Sequence, residues 1–402
     1  MTTATEPAGH AAPASGRGPA GPDPRPERSA KRARLLELLD RRGAERIVLT
    51  SATALGWYLD GARTHVSLAA APVVAAVVDR SGDTVLATDN EVDRLIGEEL
   101  PAGVGVRVVP WDQPLPLPAA AGTLSEDDVA ADLRRLRVPL LPAESARFAA
   151  LGAETAAALT RVLGRAEQQH RELDVAAEVT AEIVRLGAEP LVVLVGGGSR
   201  TGVRHPLPTS ASLGRRALVV VCARRHGLII NVSRSVAFAP PTAAEEDAQR
   251  RILGVEAAYL DALVPGTTLA TVFRAGCRAY GTHGFDPDEW RRHHQGGVAG
   301  YAGRDPRATN LTDDPIRTGQ AFAWNPTGDG AKVEDTVLLT EDGLQVLTID
   351  PAWPTVPYGG RRRPDILRRY LDSAGDISPA KSGRTHSAGD ISPAESVERA
   401  RS

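Results

Sequence analysis

The stretch GRRALVVVCARRHGLIINVSRSV, residues 214–236, decides the fold of this chain. Two apolar runs, RALVVVCA (216–223) and LIINVSRSVAF (228–238), lie on either side of a short polar segment that contains a glycine. Runs rich in Val and Ile that flank a tight turn are typical of paired strands. The stretch therefore predicts a long antiparallel hairpin.

Helices and further strands surround this hairpin. Before it, DVAAEVTAEIVRLG (174–187) has helical spacing of its apolar residues, with Asp174 as the predicted N-cap. After it, Thr242 and Glu245 form a capping box at the start of the next helix. The runs AFAW, VEDTVLLT and LQVLTID, between residues 321 and 350, predict additional strands. This order indicates an α+β domain rather than a βαβ repeat.

A smaller α/β unit precedes this domain. A helix from Lys31 to Arg42 is followed by three strand-like runs, IVLTS, PVVAAVVD and TVLAT, between residues 47 and 88. We place this unit at residues 30–141 and the larger domain at 142–370. The polar ends, 1–29 and 371–402, lack the apolar content of a core, so we predict disordered tails, the second with a duplicated SAGDISPA.

Composition narrows the classes of function. The net charge of −3 over 402 residues leaves no basic excess for a nucleic-acid backbone. Cys222 and Cys277 are too few for a disulfide framework, and we interpret both as small buried hydrophobic residues in a reducing compartment. The sequence shows neither a secretory signal nor an apolar run long enough to span a bilayer. We expect a cytoplasmic protein that binds neither nucleic acid nor membrane.

The segment HHQGGVAGY (293–301) raises the question of a metal site. Imidazole is a common ligand for zinc and related ions. A histidine pair in a tight loop is equally compatible with a structural role or with direct contact to a substrate. One motif does not decide between these alternatives, so the partners of the pair must be found.

Several motifs in the right order resemble the pita-bread superfamily, which includes creatinase, prolidase, aminopeptidase P and methionine aminopeptidase. These motifs are TALGWYLDGARTHV (53–66), RHPLPT (204–209), the hairpin, and AWNPTGDGAKVEDTVLLTEDG (323–343). The likeness extends from about residue 30 to 350. It implies a smaller creatinase-type α/β domain, followed in the chain by a pita-bread catalytic domain, and it implies a homodimer.

The resemblance also implies where metal ligands would lie. Its metallopeptidases hold two divalent ions with two Asp, one His and two Glu, which fall here on Val220, Asn231, His294, Asn325 and Glu334, with His293 as the alternative register for the histidine. Four carboxylates have become one, and a pair of divalent cations is held mainly by anionic oxygens. We expect no dinuclear centre and no other cofactor, although His294 and Glu334 are residual candidates for a single weakly held ion.

Metal-free catalysis is compatible with this family. Creatinase and ectoine hydrolase are similar in fold and cleave C–N bonds without the ion pair, and the acid/base histidine of creatinase falls here on His205. We predict a metal-independent hydrolase that acts on a small charged substrate. Lys332 and Glu334, two residues apart in a predicted strand, would point to the same face.

The predicted substrate contacts follow from charge and hydrogen-bonding capacity. Glu334 would bind a cationic group such as a guanidinium, and Arg204 or Arg304 would receive a carboxylate. The remaining predicted contacts are Asn231, His294, Tyr301 and Asn325. Two alternatives stay open at this point: a catalytically inactive pita-bread protein that binds a ligand or a partner, and a metallopeptidase acting on Xaa-Pro bonds.

Overall fold

The N-terminal part of the chain is a mixed sheet with helices packed against it. The computed structural model describes residues 25–370, so residues 1–24 and the predicted tail at 371–402 lie outside the described residues. The helices are α1 (Arg25–Arg42), α2 (Ala52–Tyr58), α3 (Val92–Arg94, continued by a π-helical turn Leu95–Glu99) and α4 (Ala130–Arg137). The strands are β1 (Arg46–Leu49), β2 (Val74–Asp79), β3 (Asp83–Thr88), β4 (Gly105–Val109) and β5 (Thr123–Leu124), in the order β4-β3-β2-β1-β5.

The first helix begins earlier than the sequence predicts. Residues 25–29 were assigned to a disordered tail, but they form the first turns of α1. Glu27 lies 3.0 Å from Arg147, and Arg28 lies 2.6 Å from Asp83. These ion pairs tie the start of the helix to the rest of the protein, which corrects the prediction.

The described C-terminal part, residues 138–370, contains two four-stranded sheets and four long helices. The helices are α5 (Pro142–Arg165), α6 (Glu172–Arg185), α7 (Ala243–Asp261) and α8 (Leu269–Thr282). The first sheet has the order β17-β8-β7-β6, with β6 (Glu189–Gly197), β7 (Arg216–Arg225), β8 (Leu228–Ala237) and β17 (Leu367–Arg368). The second has the order β14-β13-β10-β9, with β9 (Gly296–Ala299), β10 (Ala321–Trp324), β13 (Asp335–Thr340) and β14 (Gly343–Val346). This part of the chain also has two small hairpins: β11 (Thr327–Gly328) with β12 (Ala331–Lys332), and β15 (Thr355–Tyr358) with β16 (Arg361–Pro364).

The predicted hairpin is confirmed as β7 and β8. Its ladder runs without interruption from Arg216 opposite Ala237 to Arg225 opposite Leu228. His226 and Gly227 form the turn with φ of 51° and 75°. Positive φ at both central residues is the geometry whose twist matches that of paired strands, and glycine adopts it without strain.

Helix starts are confirmed in one case and shifted in another. Thr242 and Glu245 cap α7 reciprocally, as predicted: the Thr242 hydroxyl accepts from the Glu245 N–H at 3.2 Å. Asp174 is not an N-cap. It lies in the first turn of α6, and its carboxylate accepts from the backbone N–H of Arg171 at 3.2 Å. An acidic side chain can cap a helix from the N-cap or from the third helical residue. The sequence pattern therefore placed the start of α6 too late.

The two four-stranded sheets meet along a seam between β8 and β13. The backbone N–H of Ser233 donates to the carbonyl of Glu334 at 2.9 Å. The Thr336 hydroxyl accepts from the Asn231 N–H and donates to the Asn231 carbonyl, both at 2.9 Å. Helices α5 and α6 pack on the first sheet, while α7 and α8 pack on the second. The seam therefore joins the two sheets in the middle of the domain.

Tyr301 belongs to the contact between the two parts of the chain. Its hydroxyl donates to Glu144 at 2.6 Å, and the ammonium of Lys31 lies 2.9 Å from the same carboxylate. Lys31 and Glu144 are fully buried, and Tyr301 is 5% exposed. We correct the prediction of a substrate contact here, because the hydroxyl of Tyr301 is already used by a buried structural carboxylate.

Loss of the Tyr301 hydroxyl should lower stability and leave ligand binding unchanged. Tyr301→Phe removes a hydrogen bond to a buried charged group, and we expect a loss of about 1–3 kcal/mol in the free energy of unfolding. Denaturant titration measures this loss. Tyr358→Phe, at a half-buried tyrosine on β15, is the matched control and should change stability by less than about 0.5 kcal/mol. Equal effects of the two substitutions would contradict the assignment.

A second prediction concerns the contact between α7 and α8. A Cβ built at Gly276 would lie 2.1 Å from the ring of Tyr259, whereas one built at Gly281 would come no closer than 3.5 Å to Pro287. We expect Gly276→Ala to destabilise the protein by about 1–3 kcal/mol through overpacking. Gly281→Ala, on the same helix, should be neutral or slightly stabilising. Thermal unfolding of both variants checks the difference.

Candidate functional site

The seam brings together four residues that the sequence predicts to lie in the site: Asn231, His294, Asn325 and Glu334. Asn231 is on β8 and Glu334 immediately precedes β13, so the seam places them side by side. Asn325 follows β10 and donates its backbone N–H to the carbonyl of Gln295 at 3.0 Å. This bond brings Asn325 beside His294, which lies just before β9. Four chain segments therefore converge on one point in the domain.

Glu334 is held by two cations of the protein itself. Its carboxylate lies 2.6 Å from the guanidinium of Arg304 and 3.9 Å from the ammonium of Lys332. The side chains of Glu334, Lys332 and Arg304 are only 3%, 5% and 9% exposed. The predicted proximity of Lys332 and Glu334 is thus observed. Glu334 was predicted to bind the cation of a substrate, and in the structure two internal cations already pair with it.

Lys332 is fixed by further contacts within the site. Its ammonium donates to the carbonyl of Asn325 and to the hydroxyl of Thr327, both at 3.3 Å. Burial lowers the pKa of Lys332, while the carboxylate of Glu334 acts in the opposite direction. The ammonium therefore depends on this carboxylate to keep its charge in the interior.

The position opposite Asn231 in the hairpin is occupied by a thiol. Cys222 pairs with Asn231 across β7 and β8, and its Sγ donates to the Asn231 side-chain oxygen at 3.1 Å. Cys222 is half-buried, and burial raises the pKa of the thiol to about 12. The amide nitrogen of Asn231 donates to the Ile229 carbonyl at 3.3 Å. Both ends of this amide are therefore engaged within the protein.

The place of Cys222 in the site was not predicted, because the sequence indicated only a small buried hydrophobic residue. The signal was present, because Cys222 lies two residues after Val220 on one strand and so shares its face of the sheet. Val220 itself is buried, with 4% exposure, and offers no lone pair. Within residues 25–370, no group of three or more His, Cys, Asp or Glu side chains is arranged to hold a metal ion.

Two imidazoles lie at the edge of the charged cluster. The rings of His205 and His294 stack with centroids 6.2 Å apart and planes 22° apart. Burial, followed by the nearby guanidinium groups of Arg304 and Arg307, lowers the pKa of His294 to about 4. His294 is therefore neutral at neutral pH. His205 is exposed, so its ring faces the solvent side of this stack.

The two remaining candidates have structural contacts. The ring of His293 lies 2.6 Å from the carbonyl of His294, and this contact helps to fix the loop. Arg204 pairs with the carboxylate of Glu289 and donates to the carbonyl of Thr327 at 3.1 Å. Arg204 is thus already paired with a carboxylate of the protein, and its predicted contact with the carboxylate of a substrate stays a prediction.

Comparisons with known proteins agree with this architecture. Residues 146–341 match metallopeptidase family M24. A dipeptidase, PepE, from Mycobacterium ulcerans is similar in structure, with a TM-score of 0.67 and 22% identity over 86% of this chain and 98% of that chain. A prolidase from Pyrococcus horikoshii has a TM-score of 0.66 and 16% identity over 79% and 98% of the two chains.

A third similar structure is the N-terminal domain of the FACT complex subunit SPT16 from Cicer arietinum, with a TM-score of 0.60 and 14% identity over 80% of this chain and 96% of that one. The sequence comparison with curated proteins finds no match. No described helix combines the length and apolar character needed to cross a bilayer. Identities this low establish the fold and leave the activity open. The chain has the pita-bread fold, and its residues 146–341 match metallopeptidase family M24.

Proposed function

We propose that this protein is a metal-independent hydrolase that cleaves a C–N bond in a small charged molecule. The observation that carries the proposal is the pairing of Glu334 with Arg304 and Lys332 at the convergence of the four segments. The match to family M24 supports a hydrolase of the peptidase type. The charge arrangement supports a mechanism in which guanidinium and ammonium groups take the place of metal ions.

The side chains at the site fit a pair of divalent ions poorly. Such ions require several anionic oxygens, and Glu334 is the single carboxylate among the five positions compared with the metallopeptidases. The carboxylate of Glu334 already forms an ion pair with Arg304, and the side-chain oxygen of Asn231 accepts a hydrogen bond from the thiol of Cys222. A divalent ion would also lie close to two fixed cations, which repel it. We therefore propose no step through a metal.

The residues present can divide the reaction between them. His205 would accept a proton from water while the water oxygen bonds to the carbon of the scissile C–N bond. As that bond breaks, His205 would return the proton to the leaving nitrogen. Arg304 and Lys332 would stabilise the negative charge that develops on the oxygen of the substrate. His294, neutral and stacked on His205, would help to orient the catalytic ring.

Two other functions have some support. A ligand-binding protein without catalysis is favoured by the internal bonds of Asn231, which leave few free groups beside His205. A metallopeptidase is favoured by the match to family M24 and by the dipeptidase and prolidase structures that share the fold. The homodimer and the cytoplasmic location stay predictions.

Hydrolysis should survive removal of metal and depend on His205. We would assay release of amine from a panel of N-acyl amino acids, ureido acids, guanidino acids and Xaa-Pro dipeptides, with and without EDTA. At least one compound should be hydrolysed at the same rate under both conditions. His205→Asn should lower kcat by about 10²–10⁴, the usual contribution of an acid/base group.

The matched control is His283→Asn, because His283 is a half-buried histidine that caps the end of α8. Its kcat should stay unchanged, and the melting temperature of His205→Asn should equal that of the unmodified protein. Hydrolysis of an Xaa-Pro dipeptide only after addition of Mn²⁺ would favour the metallopeptidase. A panel compound that raises the melting temperature and is recovered intact would favour the binding protein.

A further inference from the structure

We infer that Glu172 and Arg200 are positioning residues, which hold the segment that carries His205 where its ring can act. This segment, residues 198–215, connects β6 with β7. The inference rests on the proposed function, because it assigns how the acid/base group of that function is kept in place. It is carried by one fully buried carboxylate and by the hydrogen bonds that converge on it.

The ring of His205 has few contacts of its own. Its side chain is exposed, and within the described part of the chain it forms no hydrogen bond or ion pair. The ring of His294 lies beside it, with centroids 6.2 Å apart. The position of such a side chain depends mainly on the backbone that carries it and on the contacts that support this backbone. The place of the ring therefore depends on how residues 198–215 are fixed.

Glu172, the first residue of α6, fastens this segment at two points. Its carboxylate is fully buried. One oxygen accepts from the backbone N–H of Gly197 at 2.8 Å, and the other accepts from the N–H and the hydroxyl of Thr209 at 2.9 and 2.7 Å. Burial raises the pKa of Glu172, but the hydrogen bonds that it accepts outweigh this effect, so the pKa is lowered. A single charged group thus joins the start of the segment to its second half.

Arg200 continues this link to the backbone of His205. Its Nε donates to both oxygens of Glu172, at 2.9 and 3.1 Å, and a terminal nitrogen donates to the carbonyl of Leu207 at 2.7 Å. The backbone N–H of Leu207 donates in turn to the carbonyl of His205 at 3.0 Å. Because a guanidinium is planar, it holds its two acceptors in a fixed relation. A continuous series of hydrogen bonds therefore runs from the buried carboxylate to His205.

Two glycines allow the segment to fold back closely onto β6. A Cβ built at Gly196 would lie 2.8 Å from the ring of Pro206, the residue after His205. A Cβ built at Gly197 would lie 2.6 Å from the backbone of Leu213. A residue without a side chain permits such a close approach. The glycines thus bring the segment within hydrogen-bonding distance of Glu172, and the carboxylate holds it there.

A kinetic cycle on His205 tests the inference. With a compound that the unmodified protein hydrolyses in EDTA, Arg200→Gln should lower kcat about ten- to a hundredfold and change KM by less than about threefold, since a displacement of about 1 Å costs up to roughly a hundredfold in rate. In the His205→Asn background, the same substitution should lower kcat no further. A merely structural loss would lower the rate by the same factor in both backgrounds.

A second variant and a matched control accompany this cycle. Glu172→Gln turns an amide nitrogen towards donors of the segment and should lower kcat at least as much. Its melting temperature should fall as well, so Arg200, with a side chain that is 31% exposed, is the deciding position. The control is Arg161→Gln, which removes a similar ion pair with Glu182 of the same helix and should leave kcat unchanged.

The ring itself can be observed without turnover. In protein labelled with ¹³C-histidine, the Cε1–H signal of His205 is assigned by its absence from the spectrum of His205→Asn. Arg200→Gln should shift or broaden this signal, because the ring would leave its stacked position beside His294. Arg161→Gln should leave the signal where it is.

Unchanged kcat in Arg200→Gln, while His205→Asn is inactive, would overturn the inference and leave the proposed function standing. The pair of Arg204 and Glu289 would then suffice to hold the ring. An equal loss of kcat in both backgrounds would overturn it too. Full activity of His205→Asn, or no hydrolysis of any compound, would reject the proposed function, and the NMR signal would then decide whether Glu172 and Arg200 position the ring.

Discussion

The ion pair between Glu334 and Arg304, with Lys332 beside it, is the interaction on which the chemistry of this protein depends. A carboxylate with 3% exposure is stable in the interior only if cations or several donors offset its loss of hydration. In the metallopeptidases that the sequence resembles, divalent ions have that role. Here a guanidinium and an ammonium lie beside the carboxylate and offset its charge.

A buried network of ion pairs lies behind Glu334. Asp335, the residue after Glu334, accepts from Arg234 at 3.0 Å and from Arg363 at 2.7 Å, and Arg363 also pairs with Glu256. All four groups are buried. This network holds β13 against β8 on the side of the seam away from the charged cluster. The network therefore positions the backbone at Glu334, and with it the carboxylate that pairs with the two cations.

The sequence predicted the elements and the positions of the seam better than the contacts between side chains. The hairpin followed from local patterns, since apolar runs, a glycine turn and strand alternation are all short-range signals. Lys332 and Glu334 lie close together as predicted, but they do not share one strand, because β12 ends at Lys332 and β13 begins at Asp335. Arg304 is 30 residues from Glu334 in the chain, and no periodicity connects such residues. Tyr301 was misplaced for a related reason, because its partner Glu144 lies 157 residues away. Asp174 was predicted as an N-cap but is the third residue of α6, because an acidic side chain can cap a helix from either position.

X-ray diffraction at the manganese absorption edge, from crystals soaked in Mn²⁺, tests the central claim most directly. The charge arrangement predicts no pair of anomalous peaks among Asn231, His294, Asn325 and Glu334. The guanidinium of Arg304 should stay within hydrogen-bond distance of the carboxylate of Glu334. Two well-occupied manganese ions bound by these side chains, with Arg304 displaced from Glu334, would contradict it.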